Sequence, residues 1–532
     1  MTEQPSSATQ AWGEEIVVTE VRGIPYRMYT ERPRRLEDLL AFADRWGDRL
    51  HIVQGDREMT FAELRRSVTA KASQLRAGGL QPGEHVVLLG WNSPDWVVNF
   101  WATLQAGAVP VLANGWWSDR EVADALELVR PALTLADAHG LTKLPAGVRT
   151  GPWATDQTTE AAEDVIPADR GARDEEAPAA VVFTSGTSGR PKAAVLSHRA
   201  LLAGLHQLLH VSRRLPQQID EASGDVGLHT GPLFHIGGVQ TLQRALTVGG
   251  TLVMPSGRYD PAEALELIER YRVTRWSAVP TMVSRLLEHP DVKVRDVSSL
   301  KSLTVGGAPV HTELLERIRT GLPGAGARVP TGFGLTENGG QATAASGRDT
   351  AERPGGLGRP LPCVEVAFLP HEGLPDAEVL LRAPTQMTGY LGHAQSPIDA
   401  DGWLHTGDLG RLDEDGHLWI TGRSKDLIIR GGENIAPVAV ERALMGIPGV
   451  AEVAVIGVPH PDLGEEVMAF VVTEDAALTG ETLAGHLRGN VSSFAVPTRW
   501  HVQSSPLPTN HAGKIDKSAL PALTRSEQTV SA

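Results

Sequence analysis

Short apolar runs alternate with longer amphipathic segments over the first part of the chain. Capping boxes in TFAE (60–63) and SDRE (118–121) predict the starts of two helices, the first ending at Gly78 and Gly79. The runs HVVLLGW and AVPVLAN between them are typical of short buried strands. Strands that alternate with helices predict parallel sheets covered by helices.

The same order resumes after residue 260, where helical and strand patterns alternate in ALELIERYRV, RWSAVP, MVSRLLEH, LKSLTVGG and TELLERIRTGL. From about 355 to 425 the pattern changes to short strands with tight turns, such as Asp415-Gly416. From about 426 it returns to mixed helix and strand. We therefore predict an α/β fold followed by a compact C-terminal module.

Composition excludes several classes of protein. The 532 residues carry a formal net charge of -15, which argues against nucleic-acid binding. The single cysteine, Cys363, excludes an intrachain disulfide and a multi-cysteine metal site. The first residues lack the pattern of a secretory signal, and no apolar run reaches the roughly twenty residues that span a bilayer. We expect a cytoplasmic protein without a membrane span.

A glycine-rich segment, VVFTSGTSGRPKAAVLSH (181–198), follows a buried strand that ends near Thr184. Loop N–H groups, hydroxyls and the ammonium of Lys192 can converge there on an anion. Only two residues separate Gly186 from Gly189, and Lys192 does not follow a glycine, so the Walker pattern is excluded. A phosphate-binding loop is favoured over a flexible linker.

Three further motifs carry charged side chains next to glycines. GFGLTE (332–337) resembles a dinucleotide fingerprint, but Glu337 replaces its third glycine, which suggests Mg²⁺ between that carboxylate and a pyrophosphate. In HTGDLG, Asp408 is placed to accept hydrogen bonds from ribose hydroxyls or to stabilise a turn. GRSKDLIIRGGENI and LPTNHAGKIDK add basic residues and a double glycine.

Together these five motifs resemble the adenylate-forming superfamily of acyl-CoA synthetases, nonribosomal adenylation domains and luciferases. The resemblance covers about residues 35–523. It implies a large N-terminal domain (1–424) of helix-covered sheets with a small β-barrel-like subdomain, and a small mobile α+β domain (425–532). A carboxylate attacks the α-phosphate of ATP, and a thiol then attacks the acyl adenylate.

The resemblance implies which residues act. Those that bind ATP come from both domains: Thr184, Ser185, Gly186, Thr187, Ser188, Gly189, Lys192, Gly307, Ala308, Pro309, Gly332, Phe333, Gly334, Thr336, Asp408, Arg423 and Lys514. Those matched to catalysis are Lys514, Glu337, Thr336, Lys192 and His235. Glu337 is matched to the Mg²⁺ ligand, Lys425 to the hinge, and Gly431 and Gly432 to the loop that meets coenzyme A.

Two of these positions say most about the reaction. Lys514 matches the lysine that bridges the carboxylate and the α-phosphate, where an ammonium neutralises charge on both partners. His235 stands where amino-acid-activating relatives carry aspartate, so an amino-acid substrate is disfavoured. It matches the gate near the acyl carbonyl, or is a hydrogen-bonded core histidine.

We therefore predict an acyl-CoA ligase that uses ATP, Mg²⁺ and coenzyme A on a hydrophobic carboxylic acid. The segment NGGQATAASG has few large side chains, which predicts a roomy pocket for an alicyclic, terpenoid, aromatic or medium-to-long acyl acid. A carrier protein as acyl acceptor, a luciferase-like oxidation and a homodimer stay open. A binder without turnover is disfavoured, because Lys192, Glu337, Asp408 and Lys514 occur together.

Two departures from the family raise a further alternative. Ala193 stands where glycine is usual, and Thr509 where relatives carry Arg or Lys. Alanine would cost about 1 kcal/mol if a positive φ were needed there, or would crowd the phosphates. The enzyme would then mainly thioesterify an acyl adenylate made by a partner enzyme.

Overall fold

The computed structural model describes most of the chain, in the segments 12–154, 174–184, 192–220, 224–307, 310, 312–326, 329–370, 376–393, 395–510 and 513–527. Several predicted ATP-binding residues lie outside the described residues, namely Ser185, Gly186, Thr187, Ser188, Gly189, Ala308 and Pro309. Their predicted roles stay predictions.

The first part of the chain alternates strands and helices as the sequence predicts. Its strands are β1 (Ile16–Val21), β2 (Ile24–Tyr29), β3 (Leu50–Gln54), β4 (Arg57–Thr60), β5 (His85–Leu89), β6 (Val109–Ala113), β7 (Leu133–Ala136) and β8 (Thr150–Gly151). Its helices are α1 (Ala41–Trp46), α2 (Phe61–Ala77), α3 (Pro94–Gln105), α4 (Asp119–Val129) and α5 (Ala138–Leu141). Both predicted capping boxes are formed in full, by Thr60 with Glu63 and by Ser118 with Glu121.

The alternation continues up to residue 326. The strands are β9 (Pro178–Thr184), β10 (Lys192–Ser197), β11 (Val226–His229), β12 (Thr251–Met254), β13 (Arg275–Ala278) and β14 (Ser302–Val305). The helices are α6 (His198–Val211), α7 (Ile236–Val248), α8 (Pro261–Arg270), α9 (Pro280–Glu288) and α10 (Thr312–Gly321).

Residues 329–423 form mostly short strands with one helix. The strands are β15 (Gly334–Leu335), β16 (Gly340–Gln341), β17 (Thr343–Ala344), β18 (Arg359–Pro360), β19 (Glu365–Leu369), β20 (Ala377–Arg382), β21 (Gly389–Tyr390), β22 (Leu404–Leu412) and β23 (Leu418–Arg423), and the helix is α11 (Gly347–Glu352). The predicted barrel-like subdomain is an antiparallel sheet in the order β19-β20-β22-β23. The predicted turn at Asp415-Gly416 joins β22 to β23, with Gly416 at φ 81°.

Two larger sheets organise the N-terminal part. One has the order β21-β10-β9-β6-β5-β7-β8, and the other the order β14-β13-β11-β12-β3-β4. Neighbouring strands of the first, β9, β6, β5, β7 and β8, run parallel, as do β14, β13, β11, β12 and β3 of the second. Helices bury their apolar faces against them, with Leu, Val, Phe and Trp side chains forming the main core.

The C-terminal part has its own sheet and core. Its strands are β24 (Ile428–Arg430), β25 (Glu433–Ile435), β26 (Val450–His460), β27 (Gly464–Thr473) and β28 (Arg499–Gln503), and its helices are α12 (Pro437–Met445), α13 (Gly480–Leu487) and α14 (Leu520–Glu527). Two apolar clusters, one on each face of this sheet's central strands, fill it. A long antiparallel pair, β26 with β27, forms its centre. Across the part of the chain that the structure describes, none of the helices combines the length and apolar character needed to cross a bilayer.

Candidate active site

Lys192 lies beside the predicted metal ligand, and one tyrosine contacts both. Lys192 begins β10 opposite Thr184, the last residue of β9. Its Nζ lies 5.0 Å from the centroid of the Tyr390 ring. The Tyr390 hydroxyl donates a 2.6 Å hydrogen bond to Glu337 Oε1. Burial, reinforced by this carboxylate, raises the pKa of the Tyr390 hydroxyl, which therefore stays a donor.

The donor set around Glu337 suits Mg²⁺ rather than a protein-enclosed metal. Among the described residues no group of three or more His, Cys, Asp and Glu side chains comes together to hold an ion. Mg²⁺ commonly takes one or two carboxylates and completes its shell with phosphate oxygens and water. Glu337, with one oxygen held by Tyr390, fits that use.

The hairpin that carries Thr336 and Glu337 requires its glycines for packing. A Cβ on Gly332 would collide with the Thr343 carbonyl, and one on Gly334 would lie 2.5 Å from the Gly340 carbonyl. Phe333 packs against the apolar cluster of the small β sheet. Close strand contact therefore requires glycine at 332 and 334, and the hairpin ends in a 3-10 turn (Thr336–Asn338) that carries Thr336 and Glu337.

Asp408 and Arg423 face each other on adjacent strands. They are register partners of β22 and β23, and Arg423 Nε donates a 2.7 Å hydrogen bond to Asp408 Oδ1. The residue Asp408 is 3% exposed, and its other oxygen, Oδ2, is buried without a partner among the described residues. Burial raises the pKa of Asp408, while the Arg423 charge lowers it. A buried acceptor left without a donor marks a place where a ligand hydroxyl fits.

Lys514 reaches into the N-terminal part. A Cβ built on Gly307 would lie 3.1 Å from Lys514 Cε and 3.7 Å from its Nζ. The loop is anchored by the Thr281 hydroxyl, which donates to the Gly513 carbonyl. Lys514 keeps exposed surface, yet protein packed around its ammonium lowers its pKa, the nearby Arg423 charge lowers it further, and Asp408 opposes both.

The predicted hinge and coenzyme A loop lie on the small C-terminal part or at its edge. Lys425 is exposed in a 3-10 turn (Ser424–Asp426) between β23 and β24. Gly431 and Gly432, at φ 59° and 89°, form the turn between β24 and β25. No atom lies within 4 Å of a Cβ built on Gly432, so this turn is open in the present arrangement.

His235 is the residue before α7, and its carbonyl accepts hydrogen bonds from Gly238 and Val239. Its ring is half-buried and lies 4.7 Å from the ring of Phe234. It is therefore not a fully buried core histidine.

Two sequence-based expectations change. The small residues after Glu337 do not leave open space at Gly339 and Gly340, since a Cβ there would collide with the Thr385 carbonyl and the Gln240 side chain.

Ala193 lies in strand β10 opposite Phe183, outside the positive-φ region, and its methyl is fully buried in an apolar cluster. The positive φ considered for alanine is not observed.

The sequence did not predict the contacts of Tyr390 and Thr281. It predicted that Thr509 lies in the loop of Lys514, but not which residue it pairs with. Tyr390 stands alone in TGYLG, and Thr281 follows a proline at a helix start, so neither carries a motif. Both become visible only when strands and loops distant in sequence meet. Thr509 pairs with Ile515 at the base of the Lys514 hairpin.

Comparison with known proteins adds relatives to this geometry. Residues 39–391 match the AMP-binding enzyme family and residues 439–514 the AMP-binding enzyme C-terminal domain. A CoA ligase of Mycobacterium tuberculosis for a methyl-dioxo-octahydroindenyl propanoate is 35% identical over 89% of this chain and 95% of its own. A fatty acid–acyl-carrier-protein ligase of Streptomyces coeruleorubidus is 34% identical over 86% and 90%.

Among solved structures, ATP-bound MatB from Rhodopseudomonas palustris matches with a TM-score of 0.79 at 28% identity, covering 92% of this chain and 99% of that one. The predicted fold of a large N-terminal and a small C-terminal part is confirmed by this likeness and by the architecture above. The chain belongs to the AMP-binding, adenylate-forming enzyme family.

Proposed function

We propose that the protein is an acyl-CoA ligase that joins a hydrophobic carboxylic acid to coenzyme A through an acyl adenylate. In the first half-reaction a carboxylate oxygen bonds to the α-phosphorus of ATP, and pyrophosphate leaves. In the second, the thiol of coenzyme A bonds to the acyl carbon, AMP leaves and the thiol proton is released. The observation that carries the proposal is the approach of Lys514 to Gly307, where the charges of Arg423 and Asp408 act on its ammonium.

The nucleotide is oriented by its ribose in this proposal. Asp408 Oδ2 is buried and unpartnered among the described residues, and Oδ1 is held by Arg423. A carboxylate accepts only, so two ribose hydroxyls suit it better than any acceptor group would. Gly307, Gly332, Phe333, Gly334 and the glycine-rich loop complete the predicted ATP site.

In this proposal the positive charges of Lys192 and Mg²⁺ act on the phosphates of ATP. Lys192 stands beside Glu337 through Tyr390, and we assign Lys192 to the β- and γ-phosphates, Glu337 to Mg²⁺ and Thr336 to the α-phosphate. Mg²⁺, when bound, neutralises charge on the leaving pyrophosphate. Phosphoryl and adenylyl transfer need this positioning and charge neutralisation more than covalent help.

Lys514 neutralises the other side of the reaction. Its ammonium, next to Gly307, faces the carboxylate and the α-phosphate as they approach, and their like charges would otherwise repel each other. Burial and the cation Arg423 lower the Lys514 pKa, and two incoming anions would offset that effect.

The second half-reaction requires that Lys514 withdraw. We assign the pivot to Lys425, with the domain boundary between residues 424 and 425, and the contact with the pantetheine arm to Gly431 and Gly432. The exposed turn at Lys425 and the open turn at Gly432 support this assignment. His235 is assigned to the gate between the thiol and the acyl carbonyl.

The experiment that tests the proposal separates the two half-reactions. Acid-dependent exchange of pyrophosphate into ATP is measured over a panel of ring-bearing and fatty acids, and thioester formation from supplied acyl adenylate is measured separately. Lys514→Ala should reduce exchange by orders of magnitude and leave thioester formation nearly intact. Lys301→Ala, which removes an exposed lysine that bonds only its own Ser298 turn among the described residues, is the control.

Two outcomes would overturn the assignment. If no acid supports exchange by the unmodified protein while the supplied adenylate is converted, the protein is a partial enzyme that depends on an adenylate-producing partner. If Lys514→Ala reduces both rates equally, Lys514 does not act in one half-reaction alone.

A further inference from the structure

Three arginines surround one carboxylate at the amino-terminal edge of the sheet β14-β13-β11-β12-β3-β4. Arg244 Nη2 and Arg214 Nη2 both donate to Asp225 Oδ2, at 2.7 and 3.2 Å. Arg275, the first residue of β13, lies close enough for its charge to act on all three of these side chains. The four residues, referred to below as the arginine cluster, are half-buried.

The arginine cluster holds more positive charge than Asp225 can neutralise. The guanidinium of Arg275 makes no hydrogen bond or ion pair with any described residue, and Arg214 Nε is buried without a partner among them. Burial and the charges of Arg244 and Arg214 lower the pKa of Arg275 to about 10, while Asp225 opposes them. A cation and a buried donor that lack partners indicate a place where an anionic group fits.

The alternation of side chains along the strands turns Arg275 away from the packed core. Trp276, Leu303 and Val305 bury one face of the sheet in an apolar cluster. Because successive side chains point to opposite faces, the other face carries Arg275, Ser277, Ser302, Thr304 and, just after β14, Gly306. All five are half-buried or exposed. This face of β13 and β14 is therefore not packed into the core.

Helix α7 presents a second polar surface beside this face. Gly237, Gln240, Thr241 and Arg244 follow the spacing of one helix side, and all are half-buried or exposed. The bond from Arg244 to Asp225, which directly precedes β11, joins this side of α7 to the edge of the sheet. The helix side and the sheet face thus border one common space.

Glycines keep that space open from one end to the other. No atom lies within 4 Å of a Cβ built on Gly237 or Gly306, and one built on Gly227 meets only a carbonyl oxygen, at 3.8 Å. Gly306 adjoins Gly307, where Lys514 lies. These positions mark a path, referred to below as the polar groove, that leads from the reaction end at Lys514 to the arginine cluster.

The length of α7 sets the size of a ligand that spans the polar groove. His235 precedes the helix at the reaction end, and Arg244 lies near its other end. A helix rises 1.5 Å per residue, so the segment from His235 to Arg244 spans about 13 Å, roughly the length of a ten-carbon chain.

We infer that the acid substrate carries a second carboxylate, remote from the reacting one, and that Arg275 binds it together with Arg214 and Arg244. The inference rests on the proposed function, because it takes Lys514 as the reaction end, and it adds a charged end to the acid proposed there. A guanidinium pairs with a carboxylate through two parallel N–H bonds. The hydroxyls of Ser277 and Thr304 along the path also suit a polar ligand.

The test compares acids that differ only at the remote end. Decanoic, decanedioic and 9-oxodecanoic acid share the reacting carboxylate and the chain length, and each is assayed in pyrophosphate exchange. The unmodified protein should show its lowest KM with the dioic acid. Arg275→Met should raise that KM about 10- to 150-fold, the range that loss of hydrogen bonds to a charged group implies. The KM for decanoic acid should change by less than about twofold.

Matched variants separate binding from a structural role. Arg272→Met removes an exposed arginine that pairs with Asp296 near the same edge, and should leave every KM unchanged. Arg275→Lys keeps the charge but loses the two-pronged geometry, and should recover part of the affinity for the dioic acid. In denaturant unfolding Arg275→Met should be at least as stable as the unmodified protein, because the guanidinium has no partner among the described residues to lose.

A direct binding measurement completes the test without turnover. In calorimetry, decanedioic acid should bind the unmodified protein more tightly than it binds Arg275→Met. If no acid supports exchange, the proposed function fails, and this measurement still decides the inference: equal binding to the two proteins, or none, overturns it.

Three kinetic results would also overturn the inference. A lower KM for decanoic than for decanedioic acid in the unmodified protein would remove the second carboxylate. Equal increases in KM for both acids in Arg275→Met, together with lost stability, would make Arg275 a structural residue. A preference for 9-oxodecanoic over decanedioic acid would assign the arginine cluster to a neutral carbonyl group.

Discussion

The carboxylate of Asp408 has opposite effects on stability and on binding. Its burial raises the pKa above the value of about 3.8 in the unfolded chain, so the folded state holds the proton more tightly. Stability is therefore lost as pH rises through the window between the two pKa values, because ionising the buried group opposes folding. A ribose that satisfies Oδ2 would offset that effect.

Asp408→Asn should accordingly weaken ATP binding without weakening the fold. The amide keeps an acceptor for Arg423 but presents a donor to a hydroxyl that needs an acceptor, which should reduce affinity by about 1.5–3 kcal/mol. Calorimetry measures the affinity, and denaturant unfolding without ATP measures stability. Asp415→Asn, at an exposed turn, is the control. Unchanged ATP affinity would remove Asp408 from the site.

Tyr390 supports the predicted metal ligand through its hydroxyl and Lys192 through its ring. Tyr390→Phe removes only the hydrogen bond to Glu337 and keeps the ring. We expect the Mg²⁺ concentration for half-maximal pyrophosphate exchange to rise about tenfold, since a hydrogen bond to a charged group contributes about 1.5 kcal/mol or more.

The control for Tyr390→Phe is Tyr259→Phe, which removes a hydroxyl that donates to the Met282 carbonyl. Calorimetric titration of the protein with ATP at several Mg²⁺ concentrations gives a second readout. A loss of stability equal to that of Tyr259→Phe, with no change in Mg²⁺ dependence, would reduce Tyr390 to a packing residue.

The position of Ala193 in strand β10 determines the expected effect of replacing it by glycine. Ala193 is extended, paired with Phe183 and fully buried. Ala193→Gly should therefore destabilise the protein by about 1–2 kcal/mol, through added backbone freedom and lost burial of a methyl group. It should not raise pyrophosphate exchange. An increase in exchange would restore the partial-enzyme alternative.

The sequence predicted strands and helices well where a local signal existed. The capping boxes at Thr60 and Ser118 and the turn at Gly416 depend on a few adjacent residues, and all three are observed. Contacts such as Tyr390 with Glu337 depend on pairing between β10 and β21, which no local pattern encodes. The close packing at Gly339 and Gly340 has the same cause, because Thr385 and Gln240 approach these glycines from other elements.

Lys425 is where the molecule as a whole is expected to pivot. Proline at 425 restricts its own φ and disfavours helical backbone at Ser424, which the present turn uses. Lys425→Pro should keep pyrophosphate exchange and slow thioester formation by about tenfold or more, because domain motion gates that step. Lys425→Ala, which leaves the backbone free, should keep both rates. Full-rate thioester formation by the proline variant would place the pivot elsewhere.

The passage of Lys514 over Gly307 makes two distant positions one steric unit. Lys514 Cε lies 3.1 Å from the Cβ that any side chain at 307 would add, which is tighter than ordinary contact, and the positive φ of 81° there also favours glycine. Natural sequences of this fold should therefore keep or lose the two residues together. A lineage that discards the lysine keeps only the backbone constraint at position 307, so substitution there after loss of the lysine would record the loss of adenylation during evolution.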